Sequence, residues 1–286
     1  MDRVLGLDSG GSKTAAGVIN GAGRVLTRAR AEGLDPTAGA GWEARLGLLA
    51  AELGPVSGAV LGLPCHGEIA AISARQVVVA DLLGPQAAVM NDFAGAFHGA
   101  LAAEDGVLVL AGTGSMPWAR GPLGTHRVGG WGHLFADEGS AHWIGRAALA
   151  LDSQHLDGRK PPSGFAHGLL REMGVAAEDL LGWTYRRDTR AGLASVAALV
   201  SRLANAGVIE AVGLMQEAAG HLALAGRTAG RLAKLDAPQR WSFAGGVMQD
   251  ATLMTMLMAA LGPPVPPVLP RWVWRHWLRR RLPDGR

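Results

Sequence analysis

The sequence predicts an α/β protein of two domains built on one plan. Two observations carry that expectation. An apolar run, a glycine-rich turn and a second apolar run occur at residues 4–19 and again at residues 107–120. Around and after these units, short runs of strand length alternate with segments whose apolar residues recur at helical spacing. At 286 residues the chain suits one large or two medium domains and can bury a substantial core.

Taken in order, residues 3–8 read as a buried strand, with residues 14–19 and 23–29 as hairpin neighbours around Asn20-Gly21-Ala22-Gly23. Residues 41–53 have helical spacing. Residues 57–63 form a short apolar strand ending at Pro64, and residues 86–90 another, ending at Asn91-Asp92 before a helix over 93–101. The pattern restarts with a strand at 107–111, the turn Gly112-Thr113-Gly114-Ser115 and a strand at 116–120. After Gly139 the chain turns mostly helical, over 141–151, 165–173, 191–206 and 209–235, with 152–163 as a loop. A late strand at 241–244 runs into Gly245-Gly246, and a helix over 251–261 carries Met254, Met256 and Met258 as expected core residues.

Composition excludes several classes. With 49% hydrophobic and 18% charged residues the chain is not disordered. Its 42 glycines point to many tight turns or close backbone approaches. No uninterrupted apolar run reaches the roughly 18 residues of a membrane span. Met1, Asp2, Arg3 and Val4 lead straight into a strand, so no signal peptide, no membrane and a cytoplasmic location are expected. The one cysteine, Cys65, rules out an intrachain disulfide and a self-contained Cys-based metal site. The net charge of +3 suggests nucleic acid only until it is divided. Six arginines and Asp284 give the last sixteen residues +5, leaving the rest at −2. No nucleic-acid partner is expected.

Four motifs carry chemistry. Asp8-Ser9-Gly10-Gly11-Ser12-Lys13-Thr14 follows a strand and enters a strand, which excludes the P-loop and dinucleotide motifs that need a following helix. A tight hairpin of this kind can aim backbone N–H groups at phosphate, with Ser12, Lys13 and Thr14 adding donors and Asp8 holding Mg²⁺ through water. It also reads as an ordinary hairpin with a solvated lysine. Gly112-Thr113-Gly114-Ser115 is a second candidate phosphate turn. Asp92, at a strand's C-terminal end, is placed to accept a hydroxyl proton, although helix N-capping explains it equally well locally. Residues 129–145 are the densest stretch: four glycines flank Trp131, His133, Asp137 and Glu138 directly before a helix, which suits a hydroxyl-rich ligand.

Together these motifs resemble the N-acetylglucosamine kinase branch of the BadF/BadG/BcrA/BcrD ATPase family, in the actin-like and hexokinase-like superfamily. The most specific match is Gly129 through Trp143 to the pattern GGWGxxxxDEGSAxW, and Gly245-Gly246-Val247 matches the family's adenosine-side glycine pair. The resemblance implies a two-domain, ribonuclease H-like fold with an interdomain cleft. It implies an N-terminal domain over 1–96, a C-terminal domain with helical insertions over 97–268 and an atypical Arg/Trp-rich tail over 269–286. It implies ATP with Mg²⁺ as cosubstrate, Asp92 as general base, and Gly10, Gly11, Ser12, Lys13, Thr14, Gly112, Thr113, Gly114 and Ser115 on the phosphates. Asp35, Asn91, Asp92, Gly129, Gly130, Asp137 and Ala141 would meet an amino sugar, and a homodimer stays an open expectation. The competing function is a non-catalytic sugar- or nucleotide-sensing protein on the same fold.

Three departures from the family pattern stand out. Gly33-Leu34-Asp35-Pro36 places a carboxylate where relatives carry Asn, which suits glucosamine with its free ammonium as much as N-acetylglucosamine. One cysteine per chain does not supply four thiolates to a dimer, which sets aside the iron–sulfur activator branch. The Arg271-Trp272-Val273-Trp274-Arg275 stretch replaces a small-residue helix; a reading-frame change near residues 263–270 is the expected origin, with a basic Trp/Arg tail used for binding as the alternative.

Overall fold

A computed structural model of the chain describes residues 3–267 apart from residues 12, 23, 38–40, 85, 103 and 188. Ser12 and the 269–286 tail therefore lie outside the described residues. The chain divides into two units, the second running from Asp105 to Pro266, so the first boundary falls after the helix in which residues 96 and 97 lie.

In the first unit the strands β1 (Arg3–Ser9), β2 (Lys13–Asn20), β3 (Val25–Glu32), β4 (Gly58–Leu63) and β5 (Ala87–Asn91) form one sheet in the order β3-β2-β1-β4-β5. The first three are antiparallel, while β1, β4 and β5 run parallel. All six residues of β4 are buried, as an interior parallel strand requires. Edge strand β3 instead exposes Arg28, Arg30 and Glu32, charges that discourage pairing with another chain. Helix α1 (Trp42–Leu53) buries Trp42, Leu46, Leu49 and Leu53, one stripe at helical spacing, with Leu5, Leu7, Leu61 and Leu63 of the sheet. Helices α2 (Ala70–Asp81) and α3 (Asp92–Leu101) flank β5 in sequence.

The second unit repeats the plan. Strands β6 (Gly106–Ala111), β7 (Ser115–Gly121), β8 (Gly124–Arg127) and β9 (Trp241–Ala244) pair in the order β8-β7-β6-β9. Again three strands are antiparallel and the fourth joins β6 in parallel. Between β8 and β9 lie α4 (Ala141–Leu156), α5 (Gly164–Met173), α6 (Leu180–Arg186), α7 (Arg190–Ala194), α8 (Ala197–Asn205) and α9 (Ile209–Leu232), and α10 (Ala251–Leu261) follows β9. Small residues on α9, among them Ala211, Ala218, Ala219, Gly226 and Ala229, are buried in one core with Val107, Val109 and Ala119. A Cβ on Gly226 would already lie 3.3 Å from Val109, so small side chains set how closely α9 approaches the sheet.

The expected elements fall where the patterning puts them, with four differences. Helix α4 continues to Leu156, so the loop expected from 152 starts five residues later. The helix expected over 191–206 is two, because Ser195 Oγ bonds back to Gly192 O and ends the first. Met254 and Met256 pack against the core, but Met258 is 42% exposed. Helices α2 and α6 and strand β8 carry no inward apolar stripe that patterning can detect. Among the described residues no single helix is long and apolar enough to cross a membrane.

Candidate active site

In the first unit the parallel strands bring three sequence-distant segments to one edge. Asp8 pairs opposite Gly62, and Leu63 opposite Asn91, so the C-terminal ends of β1, β4 and β5 are level. Ligands of open α/β sheets gather at this carboxyl edge. Asp8 and Asp92 are both buried there. The turn from Ser9 to Thr14 is held by hydroxyl groups. Ser9 Oγ lies 2.8 Å from Thr14 Oγ1, accepts from Leu34 N at 2.8 Å, and Thr14 Oγ1 donates to Glu32 O at 2.7 Å. A Cβ on Gly33 would come within 2.6 Å of the Gly10 and Gly11 carbonyl oxygens, so glycine is needed at 33 to let that loop press against the turn. Lys13 is exposed at the start of β2.

Asn91, not Asp92, caps α3: its Oδ1 accepts from Phe93 N at 3.0 Å while its amide donates to His66 O at 2.9 Å. Asp92 is the first helical residue, and its Oδ1 lies 3.1 Å from Phe93 N. Behind it, fully buried Gln76 of α2 donates to Pro64 O at 2.8 Å and meets His66 Nδ1 at 3.0 Å. Helix α2 thus braces the loop after β4, and that loop braces Asn91. Asp35 Oδ1 accepts from Thr37 N and Oγ1 at 2.8 and 2.6 Å, closing its own turn.

The second unit builds a matching edge from β6 and β9. Gly245, at φ +109°, packs so closely that a Cβ would lie 2.0 Å from Ala111 O. The pair Gly245-Gly246, expected on the adenosine side, is therefore laid against the Gly112 turn. Segment 137–142 locks onto the same turn: Ala141 N donates to Gly112 O at 2.8 Å, His142 N to Thr113 O at 3.3 Å, and Ser115 Oγ to Glu138 O at 2.7 Å. Ser140 caps α4 by accepting from Trp143 N at 3.1 Å. Gly129 and Gly130 both have positive φ, and Met116 fills the space beside Gly130 that a side chain would need.

Asp137 sits at φ +59° and is 2% exposed. Its Oδ1 accepts from Gly132 N at 3.3 Å and its Oδ2 pairs with Arg190 Nη2 at 2.9 Å. Burial pushes its carboxyl above the ordinary value, and the Arg190 guanidinium and the Gly132 N–H pull it partway back. His142, buried and stacked edge-on against His133 at 5.0 Å, is lowered to about 4, first by burial and then by the nearby His133, Arg146 and Arg190 charges. It is neutral at physiological pH. Sequence reasoning missed Arg190, Ser9 and Gln76. Arg190 has no motif around it; it reaches Asp137 because Gly145 of α4 leaves room for α7, a Cβ there lying 2.1 Å from Leu193 O.

No three acidic, histidine or cysteine side chains gather as a metal cage among the described residues. Asp8, one buried carboxylate at a strand end, fits a Mg²⁺ that keeps most of its waters and arrives on phosphate.

A glycine-rich hairpin turn on the carboxyl edge of a mixed sheet, present in both units, defines an actin-like ATPase fold. The BadF/BadG/BcrA/BcrD ATPase family model matches residues 5–268, and the chain belongs to this family. Residues of the chain are 32% identical over 139 positions to an N-acetylmuramic acid/N-acetylglucosamine kinase of Clostridium acetobutylicum, a match spanning 48% of this chain and 45% of that relative. A crystal structure of a proposed N-acetylglucosamine kinase from Chromobacterium violaceum superposes with TM-score 0.79 at 25% identity, over 97% of this chain and 99% of that one. A second proposed N-acetylglucosamine kinase, from Porphyromonas gingivalis, shares the fold with TM-score 0.73 at 19% identity, over 99% and 100%.

Proposed function

We propose that the protein is an ATP-dependent kinase of an amino sugar, N-acetylglucosamine or glucosamine. The observation that carries this reading is the shared carboxyl edge of the first unit, where buried Asp92 and the Ser9–Thr14 turn stand level. The names of the Clostridium acetobutylicum relative and the Chromobacterium violaceum structure support the substrate class.

In this reading Asp92 takes the proton of a sugar hydroxyl as its oxygen attacks the γ-phosphorus. Gly10, Gly11, Ser12, Lys13 and Thr14 of one turn, and Gly112, Thr113, Gly114 and Ser115 of the other, receive ATP phosphates. Gly245 and Gly246 lie on the adenosine side. Asp8 would hold Mg²⁺ through water, and the ion would supply neutralisation of phosphate charge. Asp35, Asn91, Gly129, Gly130, Asp137 and Ala141 line the sugar. Asn91 and Ala141 do so chiefly by positioning, since the Asn91 amide and the Ala141 N–H are committed to His66 O and Gly112 O. The protein works in the cytoplasm, without nucleic acid or membrane, as a monomer or homodimer.

Asp92→Asn keeps the shape and removes the base. It is expected to lower phosphorylation by about 10³-fold or more while ATP binding stays within a few fold. An ADP-release assay over glucosamine, N-acetylglucosamine, N-acetylmannosamine and glucose checks both points. An unchanged rate in the variant refutes the base, and a wild-type protein silent on all four sugars refutes the kinase. Preference for glucosamine would give Asp35 the role of ammonium partner.

A further inference from the structure

Arg190 stands at the second phosphate turn with most of its donors unspent. Its Nη2 is bonded to Asp137 Oδ2 at 2.9 Å, and its Nε is buried with no hydrogen-bond partner among the described residues. A Cβ on Gly114 would lie 2.1 Å from Arg190 Nη2 and 2.6 Å from Asp137 Oδ2. The guanidinium therefore occupies the space that any other residue at 114 would fill, directly against the backbone of the turn. The glycine there is explained by an arginine that has come from 76 positions further along the chain.

Pairing with buried Asp137 engages Nη2 of the guanidinium. Arg190 opens a helix of five residues, and its side chain is 37% exposed. The aliphatic core of the unit lies elsewhere. A guanidinium offers five N–H donors in one plane and matches a phosphoryl group bidentately. Asp137 grips one edge of that plane and is itself fixed from the other side by Gly132 N–H, so the orientation of Arg190 is set before any anion arrives.

We propose that Arg190 is a catalytic residue that contacts the phosphoryl group in transit and stabilises the negative charge spread over its non-bridging oxygens. The inference rests on the kinase reading above. In the step it serves, the bond from the sugar oxygen to the γ-phosphorus forms and the bond from the γ-phosphorus to the β,γ-bridging oxygen breaks. The hydroxyl proton passes to Asp92, and ADP leaves with the electron pair of the broken bond. In this reading Asp137 has two tasks, holding sugar hydroxyls and aiming Arg190 at the second turn.

The test compares wild type, Arg190→Lys and Arg190→Ala in steady-state kinetics and in nucleotide binding. Arg190→Ala is expected to lower kcat about 100-fold or more, with KM for the sugar and the Kd for Mg·ADP changed by no more than about threefold. In wild type with sugar present, aluminium fluoride, a mimic of the phosphoryl group in flight, tightens Mg·ADP binding; the variant is expected to lose that tightening. Guanidinium ion added to Arg190→Ala restores part of the rate. Arg190→Lys keeps a cation beside Asp137, and its kcat is expected to fall about tenfold with an unchanged melting temperature. This covers the case in which the alanine variant does not fold. A kcat within threefold of wild type in either variant overturns the proposal. So does a loss confined to sugar KM, or retained tightening by aluminium fluoride, because each assigns Arg190 only to holding Asp137. A wild-type protein that phosphorylates none of the sugars overturns the kinase reading instead.

Discussion

The two glycine-rich turns share a plan and differ in how they are held. The first, between β1 and β2, is fastened by hydroxyls: Ser9 and Thr14 bridge to Leu34 N and Glu32 O. The second, between β6 and β7, is fastened mainly by backbone: Ala141 N and His142 N donate to its carbonyls, the Ser115 hydroxyl adds one bond to Glu138 O, and Gly245 presses into it from β9. The first turn can be loosened one hydrogen bond at a time. The second is wedged at one point by Gly245, whose added Cβ would meet backbone at 2.0 Å, much as Gly33 presses on the first at 2.5 Å.

The largest break in that comparison is Gly245→Ala. The new Cβ meets Ala111 O and C at 2.0 and 2.4 Å, both backbone, at a φ of +109°. A loss of about 4 kcal/mol is expected, read as a lower denaturation midpoint, because neither neighbour can swing away. A variant as stable as wild type would mean that the second turn is not wedged.

A second, smaller effect sharpens the picture of α4, whose N-terminus supports the second turn. Near its other end Asp152 is fully buried, and among the described residues neither carboxylate oxygen has a hydrogen-bond partner. Burial pushes its carboxyl up to about 6, partly offset by His155 and His167. The folded state then holds a proton that the unfolded chain releases from about pH 4 upward. Stability from this group falls as pH rises from about 4 to 6 and stays low above that, by on the order of 2 kcal/mol. Asp152→Asn removes that slope. Melting temperatures of the two proteins across this range check it, and parallel curves would show that Asp152 is paired in solution.

The smallest effect is in the first turn. Thr14→Val keeps the shape and removes the hydroxyl that joins Ser9 to Glu32 O, costing about 1–2 kcal/mol. If the loss equals that of Gly245→Ala, the contrast between the two turns fails.

Legibility followed the same division. Both turns, Asp92 and the 129–143 signature could be read from the chain because each is a run of consecutive residues with its own chemistry. The doubled sheet plan was legible for the same reason, since strand, turn and strand are local. Gln76, Ser9 and Arg190 were not. Gln76 lies on α2, whose buried residues are Gln76 and Ala80 alone, so no apolar period marks its inner face. Ser9 gains its role from Leu34, a partner that only the folded hairpin supplies. Arg190 depends on the contact of Gly145 with Leu193, a pairing of two helices that local pattern does not encode. The tail over 269–286, legible only as unlike its family, is outside the described residues.

The pairing of β6 with β9 sets Val107 opposite Trp241, which gives the second unit a timetable. On the ribosome β6, β7 and β8 emerge early and find one another as neighbours. The parallel partner of β6 appears only after α4 through α9 have been made, and with it the glycine that closes the second turn. Until then one side of β6 is an unpaired edge of apolar residues, the kind of surface that waits for chaperones or recruits another chain. The sheet of the first unit, whose parallel strands are all synthesised by Asn91, has no such wait.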